Sequence, residues 1–246
     1  MERSSPAPPG VSRPLDGIPR QRAPRPAEPP AGGGPRRRPR VPVPFTLSYA
    51  AVLVVTSWVT AHLDPALVHA LHQGSSTDVA HLLRAPVLVL VASALWVAGG
   101  ILSPFTLGFL LVLGALERRL GGVRTAVVFL VGHVLATLAT EVPVGLAVLV
   151  GHLPDSSLHR LDYGISFGVA ASVGALAGLL RPWLRWPLLA AFGGMLAQDL
   201  LSFTDPMTGW GHLIALATGI GTWPWVRRRA AAREPRAGDV SARRSA

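Results

Sequence analysis

GISFGVAASVGALAGLLR (164–181) and GWGHLIALATGIGTWPWVR (209–227) are two apolar runs that each close on arginine and each carry one reactive side chain near the other end. Ser166 stands 15 residues before Arg181, and His212 stands 15 residues before Arg227. If both runs are membrane helices pointing the same way, hydroxyl and imidazole reach one depth. At 1.5 Å per residue that depth is roughly 22 Å above the basic border, toward the far side of a ~30 Å hydrocarbon layer. A serine level with a histidine inside a bilayer is the arrangement of a nucleophile and its base.

The small residues of both runs support close packing. Gly211, Ala215 and Gly219 recur every fourth residue, which lays a flat stripe along one helix face. Gly164 with Gly168, and Gly174 with Gly178, give the serine run similar low relief. Two such faces let backbones approach until a hydroxyl on one helix can hydrogen-bond an imidazole on the other.

Composition agrees with a membrane setting. The chain is 50% hydrophobic and 15% charged, with a mean hydropathy of +0.41. It has no cysteine, which excludes disulfides and thiolate chemistry. All 23 basic residues are arginine, and lysine and asparagine are absent, a bias that points to a GC-rich bacterial genome. The net charge of +10 is not a nucleic-acid signature, because no aromatic residues interleave with the arginines of the tails. Anionic lipid headgroups and the positive-inside rule account for it.

Residues 1–44 hold nine arginines and thirteen prolines with no aromatic residue, and read as a disordered cytoplasmic tail. Residues 227–246 read as a second, basic one. Between them, residues 45–226 read as one membrane domain with apolar runs near 45–63, 85–116, 124–150, 164–180, 186–203 and 209–226. The second run contains Pro86, Gly99, Gly100 and Pro104, and reads as a re-entrant segment to about residue 100 followed by a helix over 101–117. The expected fold is all-α, with six transmembrane helices. With both termini cytoplasmic, twenty-one arginines lie inside and only Arg84 and Arg160 outside, a strong positive-inside bias. The expected location is a bacterial cytoplasmic membrane.

Three motifs stand in register along this domain. Gly164-Ile165-Ser166-Phe167-Gly168 fits the bare G-x-S-x-G pattern of soluble hydrolases, but that elbow needs a preceding strand, and here the serine opens an apolar helix. His212 has small residues before it, three after it and seven after it. Leu116-Glu117-Arg118-Arg119-Leu120-Gly121 closes the helix before the long 124–150 run. In this combination the chain resembles the rhomboids, a family of intramembrane serine proteases with a six-helix core. The resemblance matches Gly164-Ile165-Ser166 to the G-x-S of the fourth helix and His212 to the sixth. It matches Glu117 and Arg119 to the E-x-R at the inner end of the second. It implies Ser166 as nucleophile, His212 as general base, Glu117 and Arg119 as structural ties, membrane-anchored substrates and no cofactor.

The chain also departs from the family pattern. Counted back from Glu117, the family's H-x-x-x-N begins at residue 101, where this chain has Ile101 and, four residues on, Phe105. Loss of one oxyanion donor typically slows turnover about 10²–10³-fold. The family's glycine after the serine is Phe167, and the aromatic residue that often supports the histidine is Ala170. Ser103, Thr106, His133 or the backbone N–H of Ser166 are the groups available to replace the lost donors. The resemblance therefore leaves two functions open: proteolysis, or binding of client transmembrane segments by a silent relative.

Other polar residues divide by depth. His133, about 13 Å above Arg124, reads as a core histidine with an accessory role as the alternative. Asp199 comes within about a turn of the Ser166 level on an ascending helix, as an outer-interface residue or a third partner orienting His212. Glu141 falls near the outer boundary beside Pro143. His62, His69, His72 and His81 cluster in or beside the first outer loop, without the carboxylates of a metal motif, so no metal site is expected.

Overall fold

The computed structural model describes residues 43–98 and 104–233, with the side chains of residues 104 and 105 outside the description. The expectations for residues 1–42, for Ile101, Ser103 and Phe105, and for residues 234–246 therefore lie outside the described residues. Within them the fold is all-α. α1 (Pro44–His62) is followed by the short helices α2 (Pro65–Gly74), α3 (Val79–Arg84) and α4 (Pro86–Ser93). Then come α5 (Pro104–Leu120), α6 (Gly122–Leu149), α7 (Ser166–Ala177), α8 (Pro182–Leu201), α9 (Pro206–Gly221) and α10 (Trp223–Ala231).

Helix starts are written plainly in the sequence. Proline occupies the first turn of α1, α2, α4, α8, α9 and α10, where its missing N–H costs no hydrogen bond. Asp64, Asp78 and Asp205 cap α2, α3 and α9, accepting the N–H groups of Ala66, His81 and Thr208.

Among the described residues two helices, Pro44–His62 and Gly122–Leu149, are long and apolar enough to cross a membrane. That is fewer than the six spans expected. α5 and α9 have 17 and 16 residues, α7 only 12, and the 20-residue α8 carries Arg185 near its start. Large apolar side chains cover the outside of the bundle, among them Val55, Leu107, Leu111, Val123, Leu130 and Leu146. Contiguous apolar surface of this kind fits association with a membrane.

α7 is the centre of the molecule. Every residue from Phe167 to Ala177 is buried, against α5, α6, α8 and α9. That position explains its composition, since only small side chains allow neighbours on all sides. A Cβ at Gly168 would strike the Phe129 ring of α6, and one at Gly132 would strike the Ala171 side chain. α7 and α9 run parallel, and here the contact is backbone on backbone. A Cβ at Gly219 would fall on the Ala171 carbonyl oxygen, and one at Gly174 on the Leu216 carbonyl oxygen.

Charged side chains finish the helices at the basic border. The Glu117 carboxylate, buried on α5, accepts the Phe45 and Thr46 N–H groups (2.9 and 2.7 Å) and the Thr46 hydroxyl (2.7 Å), so it caps the start of α1. Arg119 donates to the Leu179 carbonyl just beyond α7 (2.7 Å). Arg185 donates to the Ala177 and Leu180 carbonyls, Arg227 to Gly178, and the Trp223 indole to Gly174. Both guanidiniums lie 4.8–5.0 Å from the Trp223 ring centroid. These bonds satisfy carbonyls that a helix C-terminus leaves open and set positive charge against the negative dipole end. They also correct the expected start of the second tail at residue 227. Val226 is fully buried and Arg227 is committed to α7, so helix continues to Ala231.

Gly219→Ala tests the backbone contact. The added methyl meets only main chain, the Ala171 carbonyl and the Ala175 nitrogen, so it should cost about 1–3 kcal/mol or more, measured by unfolding of the purified protein in detergent.

Candidate active site

The segment that delivers Ser166 is pinned before the helix begins. Ser76 donates its hydroxyl to the Arg160 carbonyl (3.2 Å) and accepts the Asp162 N–H (3.0 Å). The Thr77 N–H and hydroxyl both reach Asp162, and the Gly164 N–H donates to the Ser93 carbonyl (2.9 Å). Gly164 has φ +126°, a conformation open to glycine and strained for other residues. Ser166 is the first residue of α7 and is half-buried. Among the described residues no hydrogen bond joins its hydroxyl to His212 or to any other group.

His212 is buried on α9, between the small residues Gly211 and Ala215, with Gly219 two turns further on. The Phe167 ring packs edge-on against the imidazole at 5.2 Å between centroids. The same ring fills the space beside Gly211, where a Cβ would collide with it, and lies 6.5 Å from the His133 ring. Phe167 is thus the wedge between α6, α7 and α9, next to Ser166 in the chain and against His212. A phenylalanine there gives His212 an aromatic neighbour and takes up room next to Ser166.

His133 ties α6 to α4. Its Nε2 lies 3.1 Å from the Ser93 hydroxyl and 3.2 Å from the Leu90 carbonyl, and the hydroxyl also donates to that carbonyl. A carbonyl partner requires Nε2 to carry the proton, so this nitrogen is a donor and not a base. Asp199 is exposed on α8. Among the described residues no group of three or more His, Cys, Asp or Glu side chains could hold a metal ion. Of the first-loop histidines, His72 stacks on Tyr163 (4.2 Å) and meets Trp96 edge-on (5.0 Å), while His81 pairs with Asp78 (2.9 Å).

One set of residues was not legible as a site in the sequence. Arg160 forms ion pairs with Glu141 of α6, with Asp162 (3.9 Å) and with Asp205 at the start of α9 (3.5 Å), and donates to the Thr208 hydroxyl (3.4 Å). Burial alone would lower the Arg160 guanidinium, but the carboxylates of Asp162 and Glu141 hold it above its ordinary value. Burial raises Asp162, against the pull of Arg160 and Thr77. Burial would also raise Asp205, but the Thr208 hydroxyl and N–H and the Arg160 charge bring it below the usual aspartate range. The signal available in the sequence was Arg160 itself, one of only two arginines on the expected outer side.

A family model described as "Rhomboid-like protein" matches residues 40–232. No curated protein and no solved structure matches the chain.

The wedge role of Phe167 is open to measurement. Phe167→Ala should remove about 3–5 kcal/mol of stability by leaving a cavity between α6, α7 and α9, read from unfolding in detergent. Phe167→Leu, which keeps most of the volume, should lose much less.

Proposed function

The chain belongs to the rhomboid-like family, and on that premise we propose that it is a six-span protein of the bacterial cytoplasmic membrane that cleaves membrane-anchored substrates near its outer face, with both termini inside. α1, α5, α6, α7, α8 and α9 are the six spans. The shorter ones are compatible with crossing because α7 and α9 are shielded by neighbours on most sides. The arginine asymmetry supports the orientation.

In this reading Ser166 is the nucleophile and His212 the base. The observation that carries it is the parallel, backbone-close packing of α7 and α9, which brings Phe167, next to Ser166, against His212, while among the described residues the serine hydroxyl bonds no other group. The imidazole takes the Ser166 proton as the serine oxygen bonds to a substrate carbonyl carbon, giving an oxyanion. The C–N bond then breaks, and the imidazolium returns its proton to the leaving amine. A water molecule, deprotonated in turn by His212, hydrolyses the resulting ester and frees the acid product. No cofactor enters this sequence. Hydrogen bonds of such pairs are often long before substrate binds and tighten in the complex.

One observation favours a second reading. Phe167 occupies the ground between the reactive residues and α6, and His212 is packed against it. A relative whose serine and histidine stay uncoupled would hold client transmembrane segments without cutting them, with membrane lipids as its other partners.

A fluorophosphonate probe separates the two. The protease reading expects wild-type protein in lipid or detergent to be labelled at Ser166, with Ser166→Ala and His212→Ala labelled on the order of 10⁴-fold more slowly or not at all. Folded wild-type protein that the probe never labels would overturn it in favour of the silent binder.

A further inference from the structure

We propose that Arg160 is a positioning residue that holds the starts of α7 and α9 in one geometry, by joining the segment before Ser166 to the helix that carries His212. The inference rests on the reading of those two side chains as a working pair. Arg160 is six residues before Ser166, and Asp205 is seven before His212. The guanidinium forks between helices. Its Nη2 faces Glu141 of α6 and Asp162, and its Nη1 faces Asp205 and Thr208 of α9. Among the described residues Nε has no hydrogen-bond partner, so the two Nη groups make the hydrogen bonds and ion pairs of this side chain.

The two arms differ in kind. Glu141 is 1% exposed and offers Arg160 the one carboxylate oxygen that has a partner, so the α6 arm is a fixed anchor. Asp205 is half-exposed and 3.5 Å away, so the α9 arm is the weaker one. Asp162 completes the joint, because it binds the guanidinium and is also bonded to Ser76 and Thr77. A shift at either end is felt by the other through a single planar group. Lysine cannot reproduce this, since an ammonium is a point charge without a two-pronged face.

Small displacements matter here. An error of about 1 Å between reacting groups can cost on the order of 10²-fold in rate. Asp205→Asn is the cleanest probe. Asparagine caps a helix as well as aspartate does, so α9 keeps its start and loses only the charge that Arg160 holds.

The experiment pairs two measurements on the full chain in detergent, using wild type, Arg160→Gln, Arg160→Lys, Asp205→Asn and the Arg160→Gln/Asp205→Asn double variant. The first is amide hydrogen exchange at Thr208–His212. We expect it to rise about tenfold in Arg160→Gln, less in Asp205→Asn, and no further in the double variant, with α5 unchanged. The second is the fluorophosphonate rate at Ser166 per folded molecule. It should fall about 10–100-fold in Arg160→Gln and recover in part in Arg160→Lys. A residue that only stabilises the fold would lower the unfolding temperature and leave that rate alone. If wild type is never labelled, the protease reading fails while exchange still decides the positioning role. Wild-type exchange at Thr208–His212 in both single variants, or additive effects in the double variant, would overturn the proposal. If Arg160→Gln does not fold, unchanged exchange in Asp205→Asn alone overturns it.

Discussion

Backbone contact between α7 and α9 is the constraint on which the rest of the molecule depends. Hydrocarbon tails are as apolar as leucine, so helices surrounded by them gain nothing from hiding apolar side chains. What holds them together is close van der Waals contact, and closeness is limited by the largest atom in the way. At Gly219 and Gly174 nothing stands in the way, and main chain meets main chain. The parallel direction follows from Phe167 lying beside Gly211 while Gly174, two turns on, lies beside Leu216 and Ile220. That in turn sets residues 166 and 212 at the same end.

Around this centre, helix ends are completed by side chains from other helices. Glu117 finishes α1, while Arg119, Arg185 and Arg227 finish α7. Where water is scarce, an open N–H or C=O costs several kcal/mol, so each charged group is worth more as a cap than as a surface charge. At the opposite end of the bundle one arginine is shared by three acids from three parts of the chain. Both ends therefore use arginine for the same reason: its planar head can bind several partners at once.

Much of the framework was legible in the sequence because its signals are local. Proline after aspartate marks the starts of α2 and α9, and the stripe through Gly211, Ala215 and Gly219 marks a face for close approach. What was not legible depends on rotation about a helix axis and on contacts between distant segments. Residue counting puts Ser166 and His212 at one depth but says nothing of which way Phe167 turns, and its ring lies against the imidazole. Arg160 counted only as a stray charge on the outer side, because apart from Asp162 its partners are 19 residues before it and 45 and 48 after it. The continuation of α10 to Ala231 escaped notice because a run of three arginines looks like solvent-exposed tail. Arg227 is instead held by a carbonyl 49 residues earlier.

The capping of α1 by Glu117 has a bearing on how the chain is made. α1 leaves the ribosome first, yet the carboxylate that accepts its two opening N–H groups lies 71 and 72 residues downstream. Until α5 has been synthesised and has docked, the start of α1 must satisfy those groups with some other partner, such as water. Its final seat is therefore taken late, after a helix translated well behind it. Assembly of this protein cannot run in simple order of synthesis.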